Sequence, residues 1–141
     1  MIIKKDIVTL DKVKKLKNGA IINRFSHIVK GSFIGADVMI GSFNYIAGVV
    51  GDRCRIQNYV SVWKGVIIDE DCFIGPNVAF TNSKYPMTSR QIDVTRIHKG
   101  CIVGANSTIL PVEINKCAMI GAGSLIIGNV PKLVTIKGVW K

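Results

Sequence analysis

The sequence predicts an all-β fold, a parallel β-helix of about six triangular coils with one extruded loop at residues 81–96. Three observations carry this. Apolar residues recur every six positions, small residues recur four positions after each of them, and the pattern stops only once at length.

The apolar anchors begin at Leu16 and run Ile22, Ile28, Ile34, Ile40, Ile46. After a slip they continue as Val50, Ile56, Val62, Ile68, Ile74, Phe80, then as Ile97, Val103, Ile109. After a second slip come Ile114, Ile120 and Ile126. A six-residue period is neither the 3.6 of a helix nor the 2 of a simple strand. It fits a short strand followed by a corner, three of which close a triangular coil. No coil can bury its own interior, so stacking at about 4.8 Å supplies the core.

Four residues after the anchors stand Ala20, Ser26, Ser32, Val38, Cys54, Val60, Cys72, Val78, Cys101, Ser107, Ala118, Ser124 and their equivalents. Small side chains fit where the walls converge. Asn44, Lys84 and Glu113 are the exceptions, and the last two adjoin the breaks. Gly follows the anchor at Gly35, Gly41, Gly51, Gly75, Gly104 and Gly121, where a corner needs backbone freedom.

One domain, 1–141, accounts for the whole chain. No stretch of about 18 apolar residues could span a membrane. The start, MIIKKDIVTL, lacks a signal-peptide layout, so a cytoplasmic protein is expected. The net charge of +10 suits an anionic partner. Lys12, Lys14, Lys15 and Lys17 cluster early and read as a solvated first turn. No aromatic-interleaved basic stripe marks a nucleic-acid binder. Cys54 and Cys72 lie one coil apart and read as stacked core thiols. Cys101 occupies the same kind of site, and Cys117 does not. With two His and no CxxC, no metal site is expected.

The break between Phe80 and Ile97 reads TNSKYPMTSRQIDVTR, polar and out of phase. Loops of this length in compact folds are usually functional or disordered, and a functional loop is expected here. Lys64 lies 18 residues before Asn82, so it should sit one coil below. This corner should gather Lys64, Asn82, Lys84, Tyr85 and Arg90, cations for a phosphate and an amide for a sugar hydroxyl. No Ser or Cys stands beside a His in a nucleophile motif. His27 and His98 each read as structural.

Several ordered stretches resemble a known family. They are FSHIVKGSFIG, RIQNYVSVWKGVIIDEDCFIGPNVAFTN, the loop with Tyr85-Pro86 and Arg90, TRIHKGCIVGANSTILP, and IGAGSLIIGNVPKLVTIKG. Together they resemble the left-handed β-helix acyltransferases, and most of all the N-acetyltransferases of UDP- or dTDP-linked 3-amino sugars used in bacterial surface glycans and lipopolysaccharide. The resemblance implies left-handed coiling, acetyl-CoA as donor, and a homotrimer with sites between subunits. It implies that Asn82, Lys64 and the Tyr85–Arg90 loop contact the nucleotide sugar, with Asn58 as a further wall residue and Asn82 as the candidate catalytic residue. Gly104, Ala105, Gly121 and Ala122 would offer N–H groups to the pantetheine arm. Lys132 and Lys137 would lie near the CoA phosphates. O-acetyltransferases of this fold usually carry His-Pro in the loop, where this chain has Tyr85-Pro86. That points to an amine acceptor attacked without a His base. The alternatives are an acyltransferase for a hydroxyl or a non-nucleotide amine, and a non-catalytic scaffold. A γ-type carbonic anhydrase needs three His, which the chain does not have.

Overall fold

The computed structural model describes residues 1–88 and 91–141. Arg90, an expected substrate contact, lies outside the described residues. Two short strands precede the solenoid, β1 (Ile7–Val8) and β2 (Lys14–Lys15). The first coil is β3 (Ile21–Ile22), β4 (His27–Ile28) and β5 (Phe33–Ile34). The second is β6 (Met39–Ile40), β7 (Tyr45–Ile46) and β8 (Val49–Val50). The third is β9 (Arg55–Ile56), β10 (Ser61–Val62) and β11 (Val66–Ile68). The fourth is β12 (Phe73–Ile74), β13 (Ala79–Phe80) and β14 (Thr95–Ile97). The fifth is β15 (Ile102–Val103), β16 (Thr108–Ile109) and β17 (Glu113–Ile114). The sixth has β18 (Met119–Ile120) and β19 (Leu125–Ile126), closed by a bridge from Val130 to Ile114. The seventh has β20 (Thr135–Ile136) and β21 (Val139–Trp140).

Equivalent strands pair in parallel up the stack and form three faces. The first face runs from β3 to β20, the second from β4 to β21, the third from β5 to β17. Edge I joins the first face to the second, edge II the second to the third, and edge III the third to the first. In nearly every strand the second residue points inward. Ile22, Ile28, Ile34, Ile40, Ile46, Ile56, Ile68, Ile74, Ile97, Ile109, Ile114 and Ile120 are all fully buried. Like residues stack on like residues, so each isoleucine meets the one a coil above at strand spacing.

The coil count is seven rather than six. Leu16 keeps the six-residue phase but belongs to a reversed cap. Lys14–Lys15 pair antiparallel with Ile21–Ile22, and Ile7–Val8 pair antiparallel with His27–Ile28. At the other end the chain completes β20 and β21 beyond the last anchor read. Small-position assignments also shift at the breaks. Thr95, buried, takes the place given to Lys84, and buried Val112 takes that given to Glu113, which points outward. Asn44 does occupy a small interior site, where its Oδ1 accepts from the Val60 N–H at 2.7 Å.

The slip after Ile46 is a corner shortened by two residues. Ile46 pairs with Val62, sixteen residues on, whereas Val50 pairs with Ile68, eighteen on. Gly48 makes this possible. A Cβ there would meet the Val66 carbonyl oxygen, the Trp63 oxygen at 2.7 Å and Val62 Cγ1 at 3.1 Å.

Candidate functional site

Edge II carries the interruption. The polar segment leaves the stack after β13 and rejoins it at β14, so the extruded part is 81–94, two residues shorter at its end than the sequence pattern marks. Its base is closed by hydrogen bonds. The Asp93 N–H donates to the Asn82 carbonyl at 2.9 Å, the Lys84 N–H to Asp93 Oδ2 at 3.1 Å, and Thr95 Oγ1 to the Thr81 carbonyl at 3.2 Å. Beneath lies the Trp63–Lys64–Gly65 corner of the third coil. Gly65 has φ +92°, and a Cβ there would strike Ile92 Cγ2 and the Asp93 carbonyl oxygen. Only glycine lets the loop's return strand lie this close.

Asn82 Nδ2 donates to the Lys64 carbonyl at 3.2 Å. Asn82 and Lys64 are therefore neighbours across one coil, as the 18-residue spacing requires. Lys64, Lys84 and Tyr85 are all exposed at this edge. Nδ2 is thus committed to Lys64, and among the described residues no hydrogen bond takes the Asn82 side-chain Oδ1, an acceptor. Trp63 packs on Tyr45 of the second face with ring centroids 5.1 Å apart, giving the corner an aromatic flank.

Asn58 is not brought to this corner. It lies on edge I, where its Oδ1 accepts from the Ser42 N–H at 2.8 Å and caps the coil below. Gly104, Ala105, Gly121 and Ala122 are also on edge I, two coils and more above Asn58. The Gly104 and Gly121 N–H groups are committed to the ladder, donating to the Ile120 and Ile136 carbonyls at 2.7 and 2.8 Å. Among the described residues no such bond takes the Ala105 or Ala122 N–H. In the lower coils the matching donors are covered by side chains, Ser42 by Asn58 on this edge and Ala36 by Asp52 on edge III. Alanine has no side-chain oxygen with which to cap the coil below, so Ala122 leaves the Ala105 N–H uncovered. Lys137 stands on the same edge, its Cγ 3.3 Å from where a Gly121 Cβ would be. Lys132 is on edge III, where the following Leu133 N–H bonds to the Lys116 carbonyl at 3.0 Å. The two lysines expected together are thus on different edges.

Both histidines have acidic partners. His27 Nε2 is 3.1 Å from Asp6 Oδ2. His98 lies between Asp69, 3.4 Å from Nδ1, and Glu113, 3.4 Å from Nε2, while Arg96 Nη2 donates to Asp69 Oδ1 at 3.0 Å. His98 follows β14 at its edge III end, across the third face from the loop. Cys54, Cys72 and Cys101 are buried and Cys117 is exposed. Burial pushes the Cys101 thiol up to about 11. Among the described residues no three His, Cys, Asp or Glu side chains gather as a metal site, and no helix is long and apolar enough to cross a membrane.

Edge I also holds a feature absent from the sequence reading. Phe25, Phe43 and Tyr59 occupy equivalent corners at φ of 58°, 60° and 60°. Their rings stack at 5.1 and 5.0 Å, nearly parallel, on the surface. Their spacing of one coil was the available signal.

Residues 49–82 match the bacterial transferase hexapeptide family (six repeats), and residues 94–127 match the hexapeptide repeat of succinyl-transferase. Both matched stretches are hexapeptide repeats, in keeping with the solenoid described above. The chain is 34% identical over 109 residues to a serine acetyltransferase of Buchnera aphidicola subsp. Acyrthosiphon pisum, which covers 77% of this chain and 34% of the relative. It is 36% identical over 121 residues to the bifunctional protein GlmU of Synechococcus sp. (strain CC9311), covering 74% of this chain and 26% of that protein. The chain thus spans about a third or less of the curated relatives it matches. In fold it is similar to a mutant perosamine N-acetyltransferase from Caulobacter crescentus in complex with CoA and GDP-perosamine. There the TM-score is 0.74 and the identity 18%, over 84% of this chain and 53% of that one. It is also similar to a mutant of AntD, an N-acyltransferase from Bacillus cereus in complex with dTDP and coenzyme A. That TM-score is 0.62 with 20% identity, over 81% of this chain and 76% of that one.

Proposed function

We propose that this chain is an acetyl-CoA-dependent N-acetyltransferase that acylates the amino group of a nucleotide-linked amino sugar, a dTDP- or UDP-linked 3-amino-deoxyhexose in bacterial surface-glycan synthesis. The observation that carries the reading is the Asn82–Lys64 corner under a polar loop, with both histidines engaged by carboxylates elsewhere. Solved neighbours holding CoA with a nucleotide sugar or nucleotide support it.

An amine beside electron-withdrawing oxygens has a pKa near that of an α-amino group, about 8. A useful fraction is neutral at cellular pH. Asn82 Oδ1 would accept a hydrogen bond from that amine and hold its lone pair about 3–3.5 Å from the thioester carbonyl. The C–N bond forms, the tetrahedral oxyanion collapses, the C–S bond breaks and the leaving CoA thiolate takes the amine proton. Lys64 supplies a cation for the diphosphate. Ala105 and Ala122 offer their N–H groups to the pantetheine amides, and Lys137 on the same edge faces the CoA phosphates. Edges I and II lie on opposite sides of the second face. A homotrimer, in which one copy's edge I meets another's edge II, would bring donor and acceptor together. Both cosubstrates belong to the cytoplasm.

The test is acetyl transfer to UDP- and dTDP-linked 3-amino and 4-amino sugars, followed by release of CoA thiol. Turnover that survives Tyr85→Phe and His98→Ala supports attack without a base. Loss of turnover in either, with substrate still bound, overturns it. Failure to bind CoA in calorimetry would favour a non-catalytic scaffold.

A further inference from the structure

The N-terminal end of the solenoid is built unlike a simple cap. Terminal repeats of solenoids ordinarily present a polar outer face, because the outermost coil has no neighbour to cover it. Here residues 1–17 reverse direction and seal the first coil, yet they leave apolar side chains outside. Ile2 and Leu10 are each 66% exposed, and Val8 and Val13 are exposed too. An open hollow of about 670 Å³ lies at this end, lined by Met1, Ile2, Ile3, Ile7 and Leu16 and rimmed by Lys4, Lys5, Lys14, Lys15 and Lys17. With Lys12, six lysines stand in seventeen residues against two aspartates. Asp6 is occupied, its carboxylate accepting from the Lys30 N–H at 2.7 Å and facing His27. Among the described residues none of the six lysines is paired with a carboxylate. The terminal amine is not part of the rim, since it donates to the Ile34 carbonyl at 2.7 Å.

Lysines alone would be explained as protection of an exposed strand edge. Exposed isoleucine, leucine and valine defeat that purpose, because they invite contact. Apolar side chains ringed by unpaired lysines are what an interfacial anchor presents, the apolar part entering the headgroup boundary while ammonium groups meet phosphate. Charge complementarity selects the occupant. We infer that this end of the solenoid docks on an anionic phospholipid bilayer, with Lys4, Lys5, Lys14 and Lys15 on headgroup phosphates and Met1 and Ile2 of the hollow in the acyl boundary. No membrane span is involved. The solenoid axis would stand away from the bilayer and carry the edge II loop three coils above it. This holds whether or not the acetyl-transfer reading does, since no residue is shared.

The test is flotation of the full chain with vesicles of one part phosphatidylglycerol to two parts phosphatidylcholine, against phosphatidylcholine alone. Binding is expected on the anionic vesicles at low salt, falling steeply as salt rises. Each Lys→Gln exchange among the four should weaken it about fivefold, so the quadruple variant should lose more than about 100-fold. The paired exchange Lys116→Gln with Lys141→Gln should change it less than about twofold. Ile2→Ser should remove the binding that survives at high salt. All these side chains are exposed, and circular dichroism with thermal unfolding checks that each variant is folded. The inference is overturned by any of three results. These are no binding to anionic vesicles at low salt, equal losses from the quadruple and the control pair, or end-to-end pairing of two copies in sedimentation that buries this face instead.

Discussion

Asn82 of the fourth coil donates from Nδ2 to the main-chain oxygen of Lys64 in the third, at 3.2 Å. The bond ties the extruded loop to the corner beneath it, and among the described residues the side-chain Oδ1 accepts no hydrogen bond. Because the acceptor is main chain, the tether is indifferent to the lysine side chain. Asn82→Ala should therefore lower kcat/KM by about 10- to 100-fold, as expected for losing a hydrogen bond to a reacting amine. Lys64→Met keeps the tether and removes only the cation. It should raise KM for the nucleotide sugar about tenfold with little change in kcat. Steady-state kinetics on the two variants separates the roles.

Gly48 lets edge II contract by two residues. Gly48→Ala drives a methyl group into the Val66 and Trp63 carbonyl oxygens. It should destabilise the fold by about 1–3 kcal/mol, read as a lower denaturant midpoint.

Phe43 stacks between Phe25 and Tyr59 at a φ of 60°. Each ring contact is worth about 0.5–1.5 kcal/mol, and a Cβ at this φ costs about 1 kcal/mol. Phe43→Ala keeps the strain and loses both stacks, whereas Phe43→Gly loses the stacks and relieves the strain. The glycine variant should be the more stable of the two in thermal unfolding.

Cys117 is the exposed thiol, whereas Cys54, Cys72 and Cys101 face the interior. A thiol reagent should titrate one cysteine in the native protein and four after denaturation. Two or more fast native thiols would show that edge III opens.

Edge III carries a surface ladder in which Arg53 binds Asp71 at 2.6 Å and Lys99 lies 3.4 Å from Glu70. The Arg53 hydrogen bond holds the Asp71 carboxyl below the usual carboxylate range. Its own backbone N–H, then Lys99, does the same for Glu70. Depressed folded values mean that the unfolded chain binds more protons in acid. The contribution is present in full above the ordinary carboxylate values of 3.8 and 4.5, and it is lost as pH falls through the lower folded ones. Arg53→Gln should flatten this acid limb in denaturant midpoints measured from neutral pH to pH ~3, and added salt should flatten it likewise.

The buried ladder was legible because a six-residue phase leaves a mark at each isoleucine. The loop was legible because the phase ends at Phe80. Lys64 and Asn82 followed from counting one coil. The phase carries no direction, however, so Leu16 looked like a coil residue although its segment runs antiparallel. Asn58 and Lys132 were grouped by resemblance and not by phase: Asn58 follows Ile56 as Lys64 follows Val62, one hexad and therefore one edge apart. Hydrogen bonds decided the rest. The Gly104 and Gly121 amides are spent within the ladder, whereas among the described residues no hydrogen bond takes those of Ala105 and Ala122.

The loop leaves from the fourth of seven coils. Solenoids behave as one-dimensional stacks, opening from their ends like a zipper, with the cost of opening rising with every coil peeled away. With three coils on either side, Asn82 sits at the position that such fraying reaches last. Hydrogen exchange should thus be slowest in β10, β13 and β16, and the site should keep its geometry while both ends breathe.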